Sequence, residues 1–406
     1  MTNDVLFVGI DISKLKHDVA VMDENKELVC KLIVIRENRT GYQYLLDRLD
    51  QLKCKYQTNT FYIGMEATGD YWKNLYFFLK NQSENFKVVV INPVRTKAFA
   101  KTELRRAKTD PVNARDIAQF MVEKRPQPSA DRPAVWDNIK DLDTQIKAFK
   151  KQQTMSISKL RIELGKVAPE IEQAFKIIQG KRILTLLAHF PTAEKIAKAN
   201  SKELCQLSYG IKKWQLPVTF VSKIKELAQD SIAHKKGAFA GLVVQSLVKT
   251  VYYYQQEIQL LKEQMNQLYQ GLNDNDSLLC SINGIGKETA IVLEAYFGDV
   301  NRFPSHKQFV AFFGMNPVVN QSGKKNKGQS YLEKKGSGVV RHKLYMATIN
   351  MIQRQQEPIY SFYQRLVDKG KPKLVAIGAA MRKLLVIMYT MLKNNEKFFN
   401  ENNDDK

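Results

Sequence analysis

The stretch that decides the fold is Val8-Gly9-Ile10-Asp11-Ile12-Ser13, an apolar run that ends on an acid. Two further stretches in the first third of the chain also place an acid beside an apolar run: Ile63-Gly64-Met65-Glu66-Ala67-Thr68-Gly69 and Lys108-Thr109-Asp110-Pro111-Val112-Asn113. Isolated carboxylates at the ends of buried strands cost desolvation free energy, so several of them persist together only if a positive ion lies between them. The three stretches therefore predict a divalent-metal site.

Five apolar runs bounded by turn residues predict five β-strands in the same region. They are Val5 to Ile10, Asp18 to Met22, Leu28 to Ile35, Phe61 to Met65 and Val88 to Ile91, with helical patterns at about Gly41 to Leu52, Tyr71 to Leu79 and Pro111 to Val122. Three strands in succession favour hairpins, whereas the later strands need helical crossovers. Residues 1–126 are therefore predicted to form an α/β domain with a mixed sheet.

In this domain Asp11 ends the first strand, Glu66 ends the fourth and Asp110 opens a helix. The three acids then meet at one sheet edge, where open α/β sheets build ligand sites, and their oxygens suit Mg²⁺ or Mn²⁺. Singly, each acid also fits a helix cap or a turn. The metal interpretation gains from cations nearby that can hold phosphates, namely Arg95, Lys97, Lys101, Arg105, Arg106 and Lys108.

The charge of the whole chain favours a polyanionic partner, and nucleic acid is the first candidate. Its 406 residues include 63 Lys and Arg against 41 Asp and Glu, a formal net charge of +22. The apolar stretch Leu374 to Leu392 contains Arg382 and Lys383, which favours a buried helix over a membrane span. Without a secretory signal pattern or paired cysteines, the expected location is cytoplasmic and nucleoid-associated, with reduced thiols.

Residues 127–276 are predicted to be helical, after a proline-rich boundary at Arg125 to Ser129. Apolar residues spaced by three and four predict a coiled-coil seam: Val244, Leu247, Val251, Tyr254, Ile258, Leu261, Met265, Leu268 and Leu272. An earlier seam starts at Ile139 and fails at Gln153 and Ser156. Two antiparallel arms, or one long helix packed on its own domain, are both open. A third, mainly α domain is predicted at 277–397, with a disordered tail at 398–406.

Two loops of the third domain carry candidate nucleic-acid contacts. The turn Gly284-Ile285-Gly286 resembles a helix-hairpin-helix motif, whose backbone N–H groups bind a phosphate, although such hairpins also serve only for packing. The loop Asn316 to Gly328 places Ser322 among Lys324, Lys325 and Lys327, and Arg341 follows. A nucleophilic role for Ser322 needs an activating base or metal, and neither a histidine nor an acid lies beside it in sequence.

These blocks together resemble the DEDD transposases of the insertion-sequence 110 family, relatives of Piv-type invertases that include bridge-RNA-guided recombinases. The resemblance spans nearly the whole chain. It rests on GID at Asp11, MEATG at Glu66, INP at Asn92, KAFA at Lys97, KTD at Asp110, the GIG turn, GMNP at Gly314, QSG at Ser322 and GKPKLVAIGAAMRKLL from Gly370.

The resemblance implies a RuvC-like, ribonuclease-H-type first domain, a coiled-coil middle and a C-terminal transposase domain. It also implies that Asp11, Glu66 and Asp110 bind Mg²⁺ or Mn²⁺ and that Ser322 attacks the DNA phosphodiester to form a phosphoserine link. The two halves would then make one composite site. A homo-oligomer held by the coiled coil, DNA at element ends and target, and a noncoding guide RNA are the implied partners, and a membrane is not.

One position departs from the family pattern. Where the family has TDxxD, this chain has Thr109-Asp110-Pro111-Val112-Asn113, so Asn113 occupies the position of the fourth acid. Its carbonyl can ligate Mg²⁺ without charge, which predicts a lower metal affinity or fewer metals. Asp116 is the alternative ligand, six residues after Asp110.

Three other interpretations stay open from the sequence. The first is a RuvC-like nuclease or resolvase that uses water, with Ser322 as a phosphate contact. The second is an actin-like kinase, which needs a second glycine-rich phosphate loop that the sequence between Glu66 and Ala130 does not contain. The third is a noncatalytic nucleic-acid-binding relative, consistent with Asn113.

Overall fold

The computed structural model describes residues 5–67, 69–102, 110–128, 133–175, 177–208, 215–237, 239–272, 276–318, 331–332 and 336–398. The chain divides into two compact units, residues 1–131 and 132–406. The further division of the second unit into a middle domain and a C-terminal domain stays a prediction.

The first unit is built on a five-stranded mixed sheet, as predicted. Its strands are β1 (Val5–Ile12), β2 (Lys16–Met22), β3 (Ile33–Arg36), β4 (Thr60–Glu66) and β5 (Phe86–Ile91), in the order β3-β2-β1-β4-β5. β1, β2 and β3 are antiparallel hairpin neighbours, whereas β4 and β5 run parallel to β1. The third strand is shorter than predicted, because Leu28 forms only an isolated bridge with Met22.

Four helices complete this unit: α1 (Arg39–Tyr56), α2 (Trp72–Lys80), α3 (Pro93–Thr102) and α4 (Asp110–Lys124). α1 and α2 cover one face of the sheet, in a core that includes Leu45, Leu75 and Ile63. α4 covers the opposite face, where Ala114 and Met121 belong to a second core. The sequence did not predict α3.

The second unit contains a long antiparallel helix pair, α5 (Ala134–Val167) and α11 (Leu242–Gln270). The rings of Phe149 and Tyr254 lie 5.7 Å apart, and those of Trp136 and Tyr269 lie 6.1 Å apart. The two predicted arms are therefore present within one chain. α5 continues through Gln153 and Ser156, where the sequence pattern failed.

Five short helices lie between the two arms and share a core with Leu160, Leu164 and Val248. They are α6 (Pro169–Ala174), α7 (Lys181–His189), α8 (Ala193–Lys198), α9 (Ser201–Gln206) and α10 (Val218–Gln229). This small helical body makes the middle of the chain all-α among the residues described, as the sequence predicted.

The last part of the chain is mainly helical. It contains α12 (Lys287–Phe297), α13 (His306–Phe312), α14 (Gly338–Gln353), α15 (Ile359–Asp368), α16 (Lys373–Asn394) and the short strands β6 (Pro317–Val318) and β7 (Tyr331–Leu332). α16 is long and apolar enough to cross a membrane by length and composition, but half of its apolar window is buried. Leu384 and Met388 pack in a core with Phe297 and Phe309, as expected for a buried helix.

Candidate active site

Asp11 and Glu66 lie at the carboxyl ends of two paired parallel strands. Ile10 pairs with Met65, so Asp11 and Glu66 are the next residues along β1 and β4. Residues that alternate by two share one face of a strand. Gly9 and Gly64, two residues earlier on each strand, face α4, because a Cβ added to either would meet atoms of that helix. Both acids therefore lie on the α4 face of the sheet, as expected for ligands of one site.

Asn113 contacts Asp11 directly. The Asn113 side-chain Nδ2 donates to Asp11 Oδ2 over 3.3 Å. Asp110 is the first residue of α4, three residues before Asn113, so the two share a face of the helix. The side chain of Asp110 lies outside the described part of the structure. The first turn of α4 is thus held against the end of β1.

Glu66 is held by a residue that the sequence did not identify. The Thr96 hydroxyl lies 3.2 Å from Glu66 Oε2 and 3.1 Å from the Pro93 carbonyl oxygen. Thr96 is buried on α3. Its only sequence signal is the Asn92-Pro93 pair, which starts a helix directly after β5. α3 therefore places a hydroxyl donor on the fourth-strand acid.

A polar network on the opposite face supports the loop that follows Asp11. The Ser13 backbone N–H donates to His17 Nδ1 over 3.4 Å, and His17 Nε2 contacts Glu37. Glu37 also accepts from Tyr42 at 2.6 Å and from Asn74 at 3.0 Å. Burial alone would raise the pKa of Glu37, but these hydrogen bonds outweigh it and lower that pKa. The ionised Glu37 therefore anchors the β1–β2 turn beside the site.

The donor set fits a hard divalent cation in its chemistry. Asp11 and Glu66 offer carboxylate oxygens, and Asn113, whose N–H group contacts Asp11, also carries an amide oxygen. No group of three or more His, Cys, Asp or Glu side chains that could hold an ion occurs among the described residues, which exclude the Asp110 side chain. Asp116, the alternative ligand, is partly buried on α4.

Asn113→Asp restores the acid of the family pattern and tests how its negative charge affects metal binding. In the present arrangement the amide N–H stabilises ionised Asp11, so an aspartate at this position would place two carboxylates in contact. We expect Mg²⁺ to bind at least about tenfold more tightly to the variant, and the metal-free protein to be less stable. Mg²⁺ titration by calorimetry, with thermal unfolding in the chelator EDTA, measures both effects. Unchanged Mg²⁺ dependence and unchanged recombination would remove Asn113 from the ligand set.

The structure describes only some of the predicted nucleophile and nucleic-acid-binding residues. Lys108, Ser322, Lys324, Lys325 and Lys327 lie outside the described residues. Lys97 is exposed on α3. Arg341 is partly buried, and its Nη1 donates to the Gly336 carbonyl at 2.6 Å and to the Phe313 carbonyl at 3.3 Å. Burial lowers the pKa of Arg341. Arg341 thus holds backbone on both sides of the serine loop, and its contact with nucleic acid stays a prediction.

The GIG turn joins a short 3₁₀ turn to α12. The first element, Leu278–Ser281, is shorter than the helix of an ordinary helix-hairpin-helix. Gly284 adopts a φ of +101°, which side-chain-bearing residues rarely reach, and Gly286 is the N-cap of α12. The nearby cations are paired, since Lys287 lies 2.6 Å from Asp276 and Lys262 lies 2.8 Å from Glu288.

A largely buried acid on α12 holds the residues that precede this turn. Glu294 on α12 accepts from Tyr269 over 2.8 Å and from Ser277. Burial raises the pKa of Glu294 despite these two hydrogen bonds. Tyr269 belongs to α11, so the hydrogen bond ties the long arm to the turn.

Comparison with known protein families identifies the family of this chain. A transposase profile for DEDD proteins of the IS110 type matches residues 8–169, and a profile for the transposase IS116/IS110/IS902 family matches residues 276–364. The first match contains Asp11, Glu66, Asp110 and Asn113, and the second contains Ser322. The chain belongs to the IS110 family of transposases. The resemblance inferred from the motifs is thereby confirmed, and DNA recombination is the activity of this family.

Individual IS110-family relatives match over most of their length. The pilin gene-inverting protein of Moraxella bovis is 25% identical over 395 residues, 97% of each chain. An insertion element IS116 protein of Streptomyces clavuligerus is 21% identical over 98% of this chain and 96% of its own. The mini-circle putative transposase for IS117 of Streptomyces coelicolor is 24% identical over 79% of this chain and 78% of its own.

Proposed function

We propose that this IS110-family chain breaks and rejoins DNA strands between element ends and a target, with Ser322 as the nucleophile. In this proposal Asp11, Glu66, Asp110 and Asn113 hold Mg²⁺ or Mn²⁺. The observation that carries it is the position of Asp11 and Glu66 at the ends of paired parallel strands, with Asn113 bonded to Asp11. Carboxyl ends of parallel strands are where α/β sheets bind their ligands.

The proposed reaction assigns a role to the serine, the acids and the residues that hold them. The Ser322 hydroxyl loses its proton to solvent as its oxygen forms a bond to phosphorus. The bond from phosphorus to one sugar oxygen breaks, and that oxygen leaves with the electron pair and takes a proton from solvent. The phosphoserine link conserves the bond energy for rejoining. The bound ion, when present, supplies Lewis-acid stabilisation of the phosphate and lowers the pKa of the attacking hydroxyl. Thr96 keeps the Glu66 carboxylate oriented. The His17–Glu37 network keeps the end of β1 in place.

We also assign the first unit to the RuvC-like, ribonuclease-H-type class. Support comes from its sheet, in which the hairpin strands β1 and β2 adjoin parallel β4 and β5 and a helix covers the acidic face. A structured noncoding RNA as the guide to both DNA sites is part of the same proposal. The net charge of +22 supports binding of such polyanions. A nucleoid-associated, cytoplasmic location follows from a DNA substrate.

A homo-oligomer is needed if two DNA sites are joined at once. The seam residues Val251 and Ile258 of α11 are buried, and α11 packs on α5 of the same chain. Oligomer contacts through this pair would therefore use its outer surfaces rather than the predicted seam.

DNA inversion is a second candidate, and one observation favours it. The relative from Moraxella bovis, matched over nearly the full length, is a pilin gene-inverting protein. Inversion and transposition share the same breaking and rejoining chemistry, so they differ in the arrangement of the two sites. Sequencing of junctions formed on plasmids that carry two sites in either orientation separates them.

Ser322→Ala tests the nucleophile. We expect the wild-type protein, incubated with labelled element-end DNA, guide RNA and Mg²⁺, to form a covalent protein–DNA adduct that resists denaturation. Because alanine lacks the attacking oxygen, the variant should form no adduct and no recombinant junction. Ser337→Ala is the matched control, since the Ser337 side chain caps α14 through the Val340 N–H, and it should keep adduct formation. Cleavage by Ser322→Ala would instead indicate a nuclease that uses water.

A further inference from the structure

A small cavity lies beside the loop that joins α10 to α11 in the second unit. Its volume is about 280 Å³, at the lower end of small-molecule sites. The floor of the cavity is apolar and consists of small side chains, namely Val167, Ala193, Ala197, Ala228 and Ala233. The cavity therefore has the size and the surface to receive one flat apolar group.

The rim of this cavity is positively charged. Lys198, Lys235 and Lys236 line it, against the single acid Glu194. Glu194 is already engaged, because it accepts from Lys198 at 2.6 Å. Lys235 makes only a loose ion pair, 3.8 Å from Glu163, and partly exposed pairs of this kind are weak. Lys236 is exposed. Lys235 and Lys236 can therefore meet an anion at the mouth of the cavity.

The loop beside the cavity is firmly anchored to the helices below it. Glu170 on α6 accepts from the Ser231 hydroxyl at 2.5 Å and from the Ile232 N–H at 2.9 Å. Glu194 on α8 accepts from the Gly237 N–H at 3.2 Å. These hydrogen bonds to two carboxylates fix the course of the loop, which therefore does not depend on its exposed side chains.

Two large apolar side chains of this anchored loop face solvent. Ile232 is 84% exposed and Phe239 is 80% exposed, the two highest values for large apolar residues in the part of the chain that the structure describes. Ile232 stands between two residues that line the cavity, Ser231 and Ala233. Apolar groups kept in water cost free energy, and apolar groups presented together beside a cavity are typical of a binding surface.

The chemistry of this surface matches a nucleotide whose base is unpaired. Unpaired bases stack on aromatic rings, and lysines neutralise the phosphates. Duplex DNA keeps its bases stacked inside the helix, whereas folded RNA exposes unpaired bases in loops and bulges. Glu194 and Gln229 also line the cavity and can bond a 2′-hydroxyl, which DNA lacks. The combination favours RNA.

We propose that this cavity binds an unpaired nucleotide of a single-stranded RNA segment. The base lies on the alanine floor, its phosphates contact Lys235 and Lys236, and a neighbouring base stacks on Phe239. The assignment deepens the proposed function and rests on its RNA component, because the RNA bound here would be the guide named there. It gives RNA binding to the helical body between α5 and α11.

Phe239→Ala and the double variant Lys235→Gln/Lys236→Gln test the site in the full-length chain. The probe is a fluorescent single-stranded RNA of about ten nucleotides, followed by anisotropy at fixed salt. We expect the dissociation constant to rise at least about tenfold in each variant, because a stacked base or two phosphate contacts are lost. Lys159→Gln/Lys223→Gln is the matched control. It removes the same charge from exposed positions that do not line the cavity, and it should raise the dissociation constant less than about twofold.

Two further measurements address the cavity and the choice of RNA. Ala197→Leu narrows the cavity and should also weaken RNA binding, while thermal unfolding checks that the chain remains folded. Single-stranded DNA of the same sequence should bind more weakly than the RNA. An equal loss of DNA and RNA affinity in Phe239→Ala would show that the site does not select RNA and would overturn the assignment.

The outcomes separate this site from the proposed strand chemistry. If Phe239→Ala and the lysine variant bind RNA like the wild type, while the wild type forms the Ser322-dependent adduct, only the RNA site is wrong. If RNA affinity falls as expected and the wild type forms no adduct with DNA, the RNA site stands and the strand chemistry is wrong. A change of oligomeric state in Phe239→Ala with unchanged RNA affinity would instead assign the loop to contacts between copies of the chain.

Discussion

Glu66→Gln and Asp11→Asn should each reduce DNA strand breakage by at least about 10²-fold, and together they should abolish it. Each change keeps the shape of the side chain and removes one negative charge from a strand end on the α4 face. The loss of charge weakens metal binding and therefore the stabilisation of charge on the reacting phosphate. Single-turnover cleavage of labelled element-end DNA, at saturating protein and increasing Mg²⁺, measures the effect.

Two comparisons make this result specific. Glu84→Gln removes an exposed acid before β5 and should leave the cleavage rate unchanged. Thr96→Val removes the hydroxyl that lies 3.2 Å from Glu66 Oε2 and should cause a smaller loss than Glu66→Gln. Full activity of Glu66→Gln at every Mg²⁺ concentration would exclude Glu66 from the ligand set. Both the serine mechanism and the water mechanism need the ion. These variants therefore test whether the acids hold the ion and do not distinguish the two mechanisms.

The positions of the two strand-end acids were predictable because the apolar runs in the sequence coincide with the strands of the structure. β1 and β4 are apolar runs in the sequence; β1 is almost fully buried, and β4 is buried or half-buried along its whole length. Because each run stops at an acid, that acid falls at the end of a buried strand, and Asp11 and Glu66 lie where the sequence predicted. α3 was not predictable in this way. Only Thr96 and Phe99 are buried among its described side chains, so it lacks an apolar stripe.

The role of Asn113 depends on how closely α4 approaches the sheet. The sequence suggested its carbonyl as a metal ligand, whereas the structure directs its N–H group to Asp11. That contact is set by packing between elements about 100 residues apart, which local spacing does not report.

The length of the long helix α5 was also not predictable from the apolar seam alone. The apolar seam stops after Phe149, and the following turns expose Gln152 and Thr154. The helix continues because Ile157 and Leu160 begin a new core. Thr154 and Ser156 are accommodated within it by hydroxyl hydrogen bonds to the carbonyls four residues earlier. A break in the seam thus marked a change of packing partner rather than the end of the helix.

Gly9→Ala should destabilise the first unit by about 3 kcal/mol, at the upper end of ordinary overpacking costs. A Cβ at Gly9 would lie 2.2 Å from the Ala114 carbonyl oxygen and 2.2 Å from the Ala118 nitrogen. Both are backbone atoms of α4, so the clash is relieved only by moving the whole helix away from β1. That movement also separates Asn113 from Asp11, and strand breakage should fall with stability.

The same substitution at two other glycines provides graded controls. Gly64→Ala meets the Met121 side chain at 2.6 Å, and because methionine is flexible the cost should be smaller. Gly165→Ala on α5 has no atom within 4 Å and should stabilise its helix by about 0.5–1 kcal/mol. Hydrogen exchange of the β1 and α4 amides in the full chain resolves the first unit from the second. Equal protection of these amides in the Gly9→Ala and Gly64→Ala variants would contradict this prediction. It would show that the close contact between α4 and β1 does not position the acids.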